Sequence, residues 1–174
     1  MIAIEVALVG IAIMTTVLAA LFGWLHHRDQ VHHFIADHDF VAWTDIFRLQ
    51  GRQFGPDRIG PVCRCYRALA HDVPVELLVE IPPAGHGSPH RPRWILAAQV
   101  PRTLAFVATA TGIEGTVPQP VHQAVDELRA DPRINATLCG HGLFLVRVQK
   151  AAGLESALAL VAYTVPLLRG YLAR

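Results

Sequence analysis

The chain has 174 residues, 52 % of them hydrophobic, and a formal net charge of +1. No strong overall field selects a polyanion, so nucleic acid is not an expected partner. Three cysteines without regular spacing, Cys63, Cys65 and Cys139, do not make a disulfide framework.

Residues 6–25 carry no charge. At about 1.5 Å per residue, twenty helical residues cover about 30 Å, the thickness of the hydrocarbon layer. Trp24 closes the run where an amphipathic ring favours headgroups, and His26, His27 and Arg28 follow at once. No Lys or Arg precedes the run, Glu5 does, and no small-x-small cleavage site follows it, so a retained anchor is expected rather than a signal peptide. Arg28, Arg48 and Arg52 lie after the span. The positive-inside rule then places the N-terminus outside and the rest of the chain in the cytoplasm, on a bacterial inner membrane or its equivalent. Small residues recur at helical spacing on two faces, Ala12, Thr16 and Ala20 on one, Ala19 and Gly23 on the other. Such faces let helices approach closely in lipid. No histidine lies inside the run, which argues against haem or pigment ligation by this helix. No cofactor is expected.

Residues 29–50 continue as an amphipathic juxtamembrane helix, with Val31, Phe34, Ile35, Ala42, Ile46 and Leu49 near a 3.6 period. Residues 51–60 are a break, with Gly55-Pro56 and Gly60-Pro61 as turn signals. Four strand-like stretches follow, 62–69, 73–81, 94–100 and 104–110, and suit an antiparallel meander. Cys63 and Cys65 are expected on one face of the first of them. The stretch 82–93 is a loop by composition. Val121, Ala124, Val125 and Leu128 then mark a short helix that Asp131-Pro132 stops. Residues 134–139 and 143–148 form a hairpin across Gly140-His141-Gly142. From Gly153 to about Leu172 a last helix carries an apolar stripe. Only thirteen uncharged residues separate Glu155 from Arg169, too few to span a bilayer, so this helix is buried on the sheet or docks on a partner. The expected class is α+β: a transmembrane helix (1–28), the juxtamembrane helix (29–50), and a domain (51–174). That domain combines a mainly antiparallel sheet of about six strands with two or three helices.

Catalytic patterns are missing from the sequence. Ser88 and Ser156 are the only serines, and neither lies in G-x-S-x-G. No phosphate-binding glycine loop precedes the single lysine, Lys150, and C-x-x-C is absent. Histidine is the unusual residue: ten are present, five between 26 and 38. On a helix His26, Asp29, His33 and Asp37 line one stripe, and neighbours at i+3 or i+4 can share a divalent metal. Without such a metal the stripe is a solvated face beside the headgroups. The expected function is therefore non-enzymatic: a single-span accessory or structural subunit of a larger membrane complex, respiratory or photosynthetic in type. Its partners would be other transmembrane subunits and the lipid bilayer. The alternative is a membrane-anchored metal- or ligand-binding protein using the His-rich segment.

Overall fold

Along residues 73–80 the side chains alternate, Val73, Val75, Leu77 and Val79 on one side and Pro74, Glu76, Leu78 and Glu80 on the other. A period of two is the strand period. A computed structural model of the chain describes residues 2–44, 53–54, 57–81 and 93–171, and this stretch is the third strand of an eight-stranded sheet. In chain order the elements are α1 (Ile2–Asp37), β1 (Val41–Trp43), β2 (Gln53–Phe54), β3 (Asp57–Arg58), β4 (Val62–Ala70), β5 (Val73–Glu80), β6 (Arg93–Gln99), β7 (Phe106–Thr109), β8 (Gly112–Gly115), α2 (His122–Ala130), β9 (Ile134–Gly140), β10 (Leu143–Val148) and α3 (Leu154–Tyr171). The sheet order is β1-β4-β5-β6-β10-β9-β7-β8, every pair antiparallel, and among the described residues β2 pairs with β3 alone.

The α+β class holds, but the sheet has eight strands, not about six. β1 and β8 are three and four residues long, too short to show a period. The meander also ends early. The β9–β10 hairpin inserts between β6 and β7, so β7 pairs with β8 and β9 instead of β6. The physical reason lies in β10, where all six residues are buried. A strand with two apolar faces belongs at the centre of a sheet covered on both sides. The loop stretch 82–92 lies outside the described residues.

Two of the tight hairpins have two turn residues with positive φ. His71 and Asp72 join β4 to β5, with φ of 47° and 65°; His141 and Gly142 join β9 to β10, with 53° and 81°. Two left-handed residues give the primed turn whose twist matches the strands.

On one face Phe144, Val146, Leu77, Leu96 and Trp94 meet Val125 and Leu128 of α2 and Leu154, Val161, Val165 and Leu168 of α3. So α3 spends its apolar stripe on the sheet, as its short uncharged length required, although its composition alone would pass for a span. The other face is also buried. Ile59, Val62, Cys65, Leu78, Ile95, Leu138, Leu143 and Leu145 form a second cluster there. Cys63 and Cys65 do not share a face. The register shifts between Val62 and Arg64, a bulge that leaves Cys63 exposed while Cys65 is buried.

One ion pair sits inside this second face. Glu80 Oε2 lies 3.4 Å from Arg147 Nε, both side chains almost fully buried. Glu80 Oε1 accepts the Gly60 N–H at 2.6 Å, and the Ile81 N–H bonds the Pro61 carbonyl. A Cβ on Gly60 would come within 2.9 Å of the Ile81 carbonyl, so glycine is required for this approach. The carboxylate thus clips the 59–61 segment to the sheet. Removing one partner of a buried pair strands the other charge. Glu80→Ala is therefore expected to lower unfolding stability by about 3 kcal/mol or more, read by denaturant titration of the full chain.

A second polar staple joins the end of α2 to the start of α3. Arg133 donates to both Asp131 oxygens, at 2.8 Å and 2.6 Å, and to the Ala152 carbonyl; Ser156 donates to Asp131. The Arg133 guanidinium holds the Asp131 carboxyl down at about 2, against an ordinary 3.8. A carboxylate depressed on folding stabilises fully above 3.8, and that contribution is lost as pH falls toward 2. Asp131→Asn should flatten the acid limb of a melting-temperature against pH curve over that interval; an unchanged slope would refute the role.

Candidate functional site

The candidate site is the long apolar helix and its junction with the domain. α1 runs unbroken for 36 residues, about 54 Å at 1.5 Å per residue. Between Gly23 and Asp37 the sequence contains no Gly or Pro that would kink it. Side chains from Val9 to Gly23 are all exposed, including Val9, Ile11, Ile13, Met14, Val17 and Phe22. Residues 9–37 are long and apolar enough to cross a membrane. The side chains of residues 1–8, of Trp24 and of His27 lie outside the described ones.

Two polar groups in the apolar stretch are satisfied within the helix. Thr16 Oγ1 donates to the Ala12 carbonyl at 2.8 Å, and Thr15 Oγ1 to the Ile11 carbonyl at 3.0 Å. Such back-bonding lets a hydroxyl sit in lipid without an outside partner. Ala12, Thr16, Ala19, Ala20 and Gly23 are all exposed, and a Cβ on Gly23 would meet nothing in this chain. No contact inside the protein calls for a small residue there.

The helix ends at Asp37, well short of residue 50, and the end is specific. Asp39 has φ of 52°, its N–H bonds the Ala36 carbonyl, and the Phe40 N–H bonds the Ile35 carbonyl at 2.9 Å. These two bonds around a left-handed residue are the Schellman stop, and its apolar contact is present too. The Phe40 ring lies 5.5 Å from the Phe34 ring, and both are buried in the helical-face core. Val31 and Ile35 pack against the same core, and His38 pairs with Glu155 at the start of α3 at 2.8 Å. Ala42, expected on the helix, is in β1; Ile46 and Leu49 lie outside the described residues. From Leu25 to Phe34 is about 14 Å of helix, so the domain is gripped that far beyond the apolar run.

His26, Asp29, His33 and Asp37 occupy one exposed stripe of this connecting segment. His26 and His33 are about 10 Å apart along the axis, too far to bind one ion together. His26 Nε2 lies 3.0 Å from Gln30 Nε2. Among the described residues no three His, Cys, Asp or Glu side chains converge for a metal. Elsewhere histidines serve the backbone: His122 bonds the Val117 carbonyl and His141 the Gln53 carbonyl. Ser156 is engaged with Asp131 and the Gly153 carbonyl. Burial alone pushes the Cys139 thiol up to about 12, which makes it a packing residue and not a nucleophile. Asp39 and Phe40 decide the junction, and periodicity gives no sign of them, because Asp tolerates the left-handed turn without marking it. Comparison with family models, curated proteins and solved structures finds no match in any of the three.

Because Asp39 holds a conformation that glycine adopts without cost, Asp39→Gly is expected to stabilise the junction by about 1 kcal/mol, and Asp39→Val to destabilise it. Thermal unfolding of the full chain in nanodiscs reads both signs.

Proposed function

We propose that this protein is a non-catalytic, single-span accessory subunit of a larger membrane complex. The observation that supports the reading is that every residue from 9 to 23 is exposed, on a helix continuous with the domain core. Burying a Val, Leu, Ile, Met or Phe side chain is worth about 1.5–3 kcal/mol. Eight such residues are exposed on α1 between Val9 and Phe22. Their sum is on the order of 10–20 kcal/mol, as large as the net stability of a whole domain. Lipid or other apolar helices, not water, are the natural surroundings of such a surface.

Two features favour helices as part of that surround. The Ala12–Thr16–Ala20 and Ala19–Gly23 faces offer close approach, and their hydroxyl is already satisfied, so packing there carries no polar cost. The unbroken helix would transmit the position of the span to the domain, which suits a brace over a cytoplasmic face. The arginines after the span support that side of the membrane.

Gentle solubilisation from the native membrane should yield the chain in a particle much larger than 19.1 kDa, and Ala12→Leu with Ala20→Leu should release it while the domain stays folded. A respiratory or photosynthetic host would show haem or pigment absorbance in the same particle. A fully stable, monodisperse monomer from native membranes would overturn the subunit reading.

A further inference from the structure

In α3 the thirteen residues between Glu155 and Arg169 carry no charge. Leu158, Val161, Val165 and Leu168 occupy one side of the helix, against the sheet. The opposite side is apolar too, and it is open. Ala159, Tyr163 and Pro166 are exposed, Tyr163 by 61 %, with Leu160 and Leu167 half-buried beside them. A helix that is apolar all round is normally buried all round, whereas a surface helix carries charge on its outer side. The outer face of α3 therefore calls for a cover.

The two ends of this face carry opposite charges. Glu155 lies in the first turn of α3 and Arg169 in the last. Arg169 follows Glu155 by fourteen positions. At 3.6 residues per turn the two stand within about 40° of each other around the helix, on one flank of the open face. Each has one bond among the described residues and keeps capacity for another. Glu155, 62 % exposed, takes His38 on Oε2 at 2.8 Å. Arg169 is exposed and donates from Nε to the Gln99 carbonyl at 3.1 Å, which leaves its two amino groups for a carboxylate.

A two-fold axis normal to a pair of antiparallel helices reverses their ends and keeps each flank on its own side. Placed level with Ala162, midway along the run, it sets Glu155 of each copy against Arg169 of the other. It also brings the two Tyr163 side chains together near the axis, with Ala159 leaving room beside them. We propose that two copies of this chain pair antiparallel along the outer face of α3, Tyr163 at the centre and Glu155 of each copy bonded to Arg169 of the other. The size of the face sets the strength. A helix of 18 residues is about 27 Å long and about 10 Å wide, a footprint of about 270 Å². Stable complexes bury about 800 Å² on each partner. The dimer is thus a weak, exchanging one, and its rim charges fix register more than affinity. The pairing goes beyond the role proposed for α1 and does not depend on it.

The test follows the full chain in an excess of mild detergent by sedimentation equilibrium through the micromolar range. A reversible rise from the 19.1 kDa monomer to the dimer is expected. Tyr163→Glu should abolish it while circular dichroism stays unchanged. Glu155→Arg alone and Arg169→Glu alone each set like charges against each other at both ends, and each should weaken pairing by about tenfold or more. An equimolar mixture of these two variants should pair again, because every guanidinium then faces a carboxylate. Misfolded chains could not complement each other in this way, so the mixture separates lost contact from lost fold. A wild-type chain that stays monomeric, association that Tyr163→Glu or the single reversals leave unchanged, or a mixture no tighter than its components would overturn the proposal.

Discussion

Everything in this molecule hangs on how α1 stops. A helix of 36 residues would run on or fray unless its last carbonyls found partners. Here Asp39 turns left-handed, Phe40 doubles back onto Phe34, and both rings enter the core beneath the sheet. One local motif thereby converts an apolar rod into a rod with a domain fixed to it. A flexible linker would have let the domain swing; three apolar residues of the rod, Val31, Phe34 and Ile35, deny it that freedom.

The domain solves a second problem, that of a sheet with two apolar faces. Helices α2 and α3 cover one. The other is closed partly through the 59–61 segment, held by the Gly60 N–H on Glu80 and by Ile59 in the second cluster. The buried Glu80–Arg147 pair is not there for raw stability, since apolar residues would often serve as well. Its geometric effect is to set where that segment crosses the sheet. The Asp131–Arg133–Ser156 staple does similar work on the helical side, fixing the start of α3 relative to α2 and so the line along which α3 lies.

Much of the secondary structure was legible from side-chain period. β4, β5, β6, the β9–β10 hairpin, α2 and α3 all lie close to where alternation or a 3.6 period placed them. The expected meander failed at β7 because strand order depends on which strand is apolar on both faces, a property of the assembled layers. The same holds for Cys63 and Cys65, whose shared face was lost to a bulge that no local pattern announces. The histidine stripe was visible as a pattern, and among the described residues no three His, Cys, Asp or Glu side chains come together on it.

The sequence by itself determined an apolar helix long enough for a bilayer, the small residues on its faces, and an α+β domain without catalytic motifs. These follow from composition and period, which are local properties. Only the tertiary structure decided where the long apolar helix ends, how the domain is fixed to it, and which strand lies at the centre of the sheet. Those features depend on groups far apart in sequence, Phe34 with the core around α3, Gln99 with Arg169. Contact between such groups is set by packing and by backbone hydrogen bonds that must be satisfied somewhere, and neither is written in the spacing of residues along the chain.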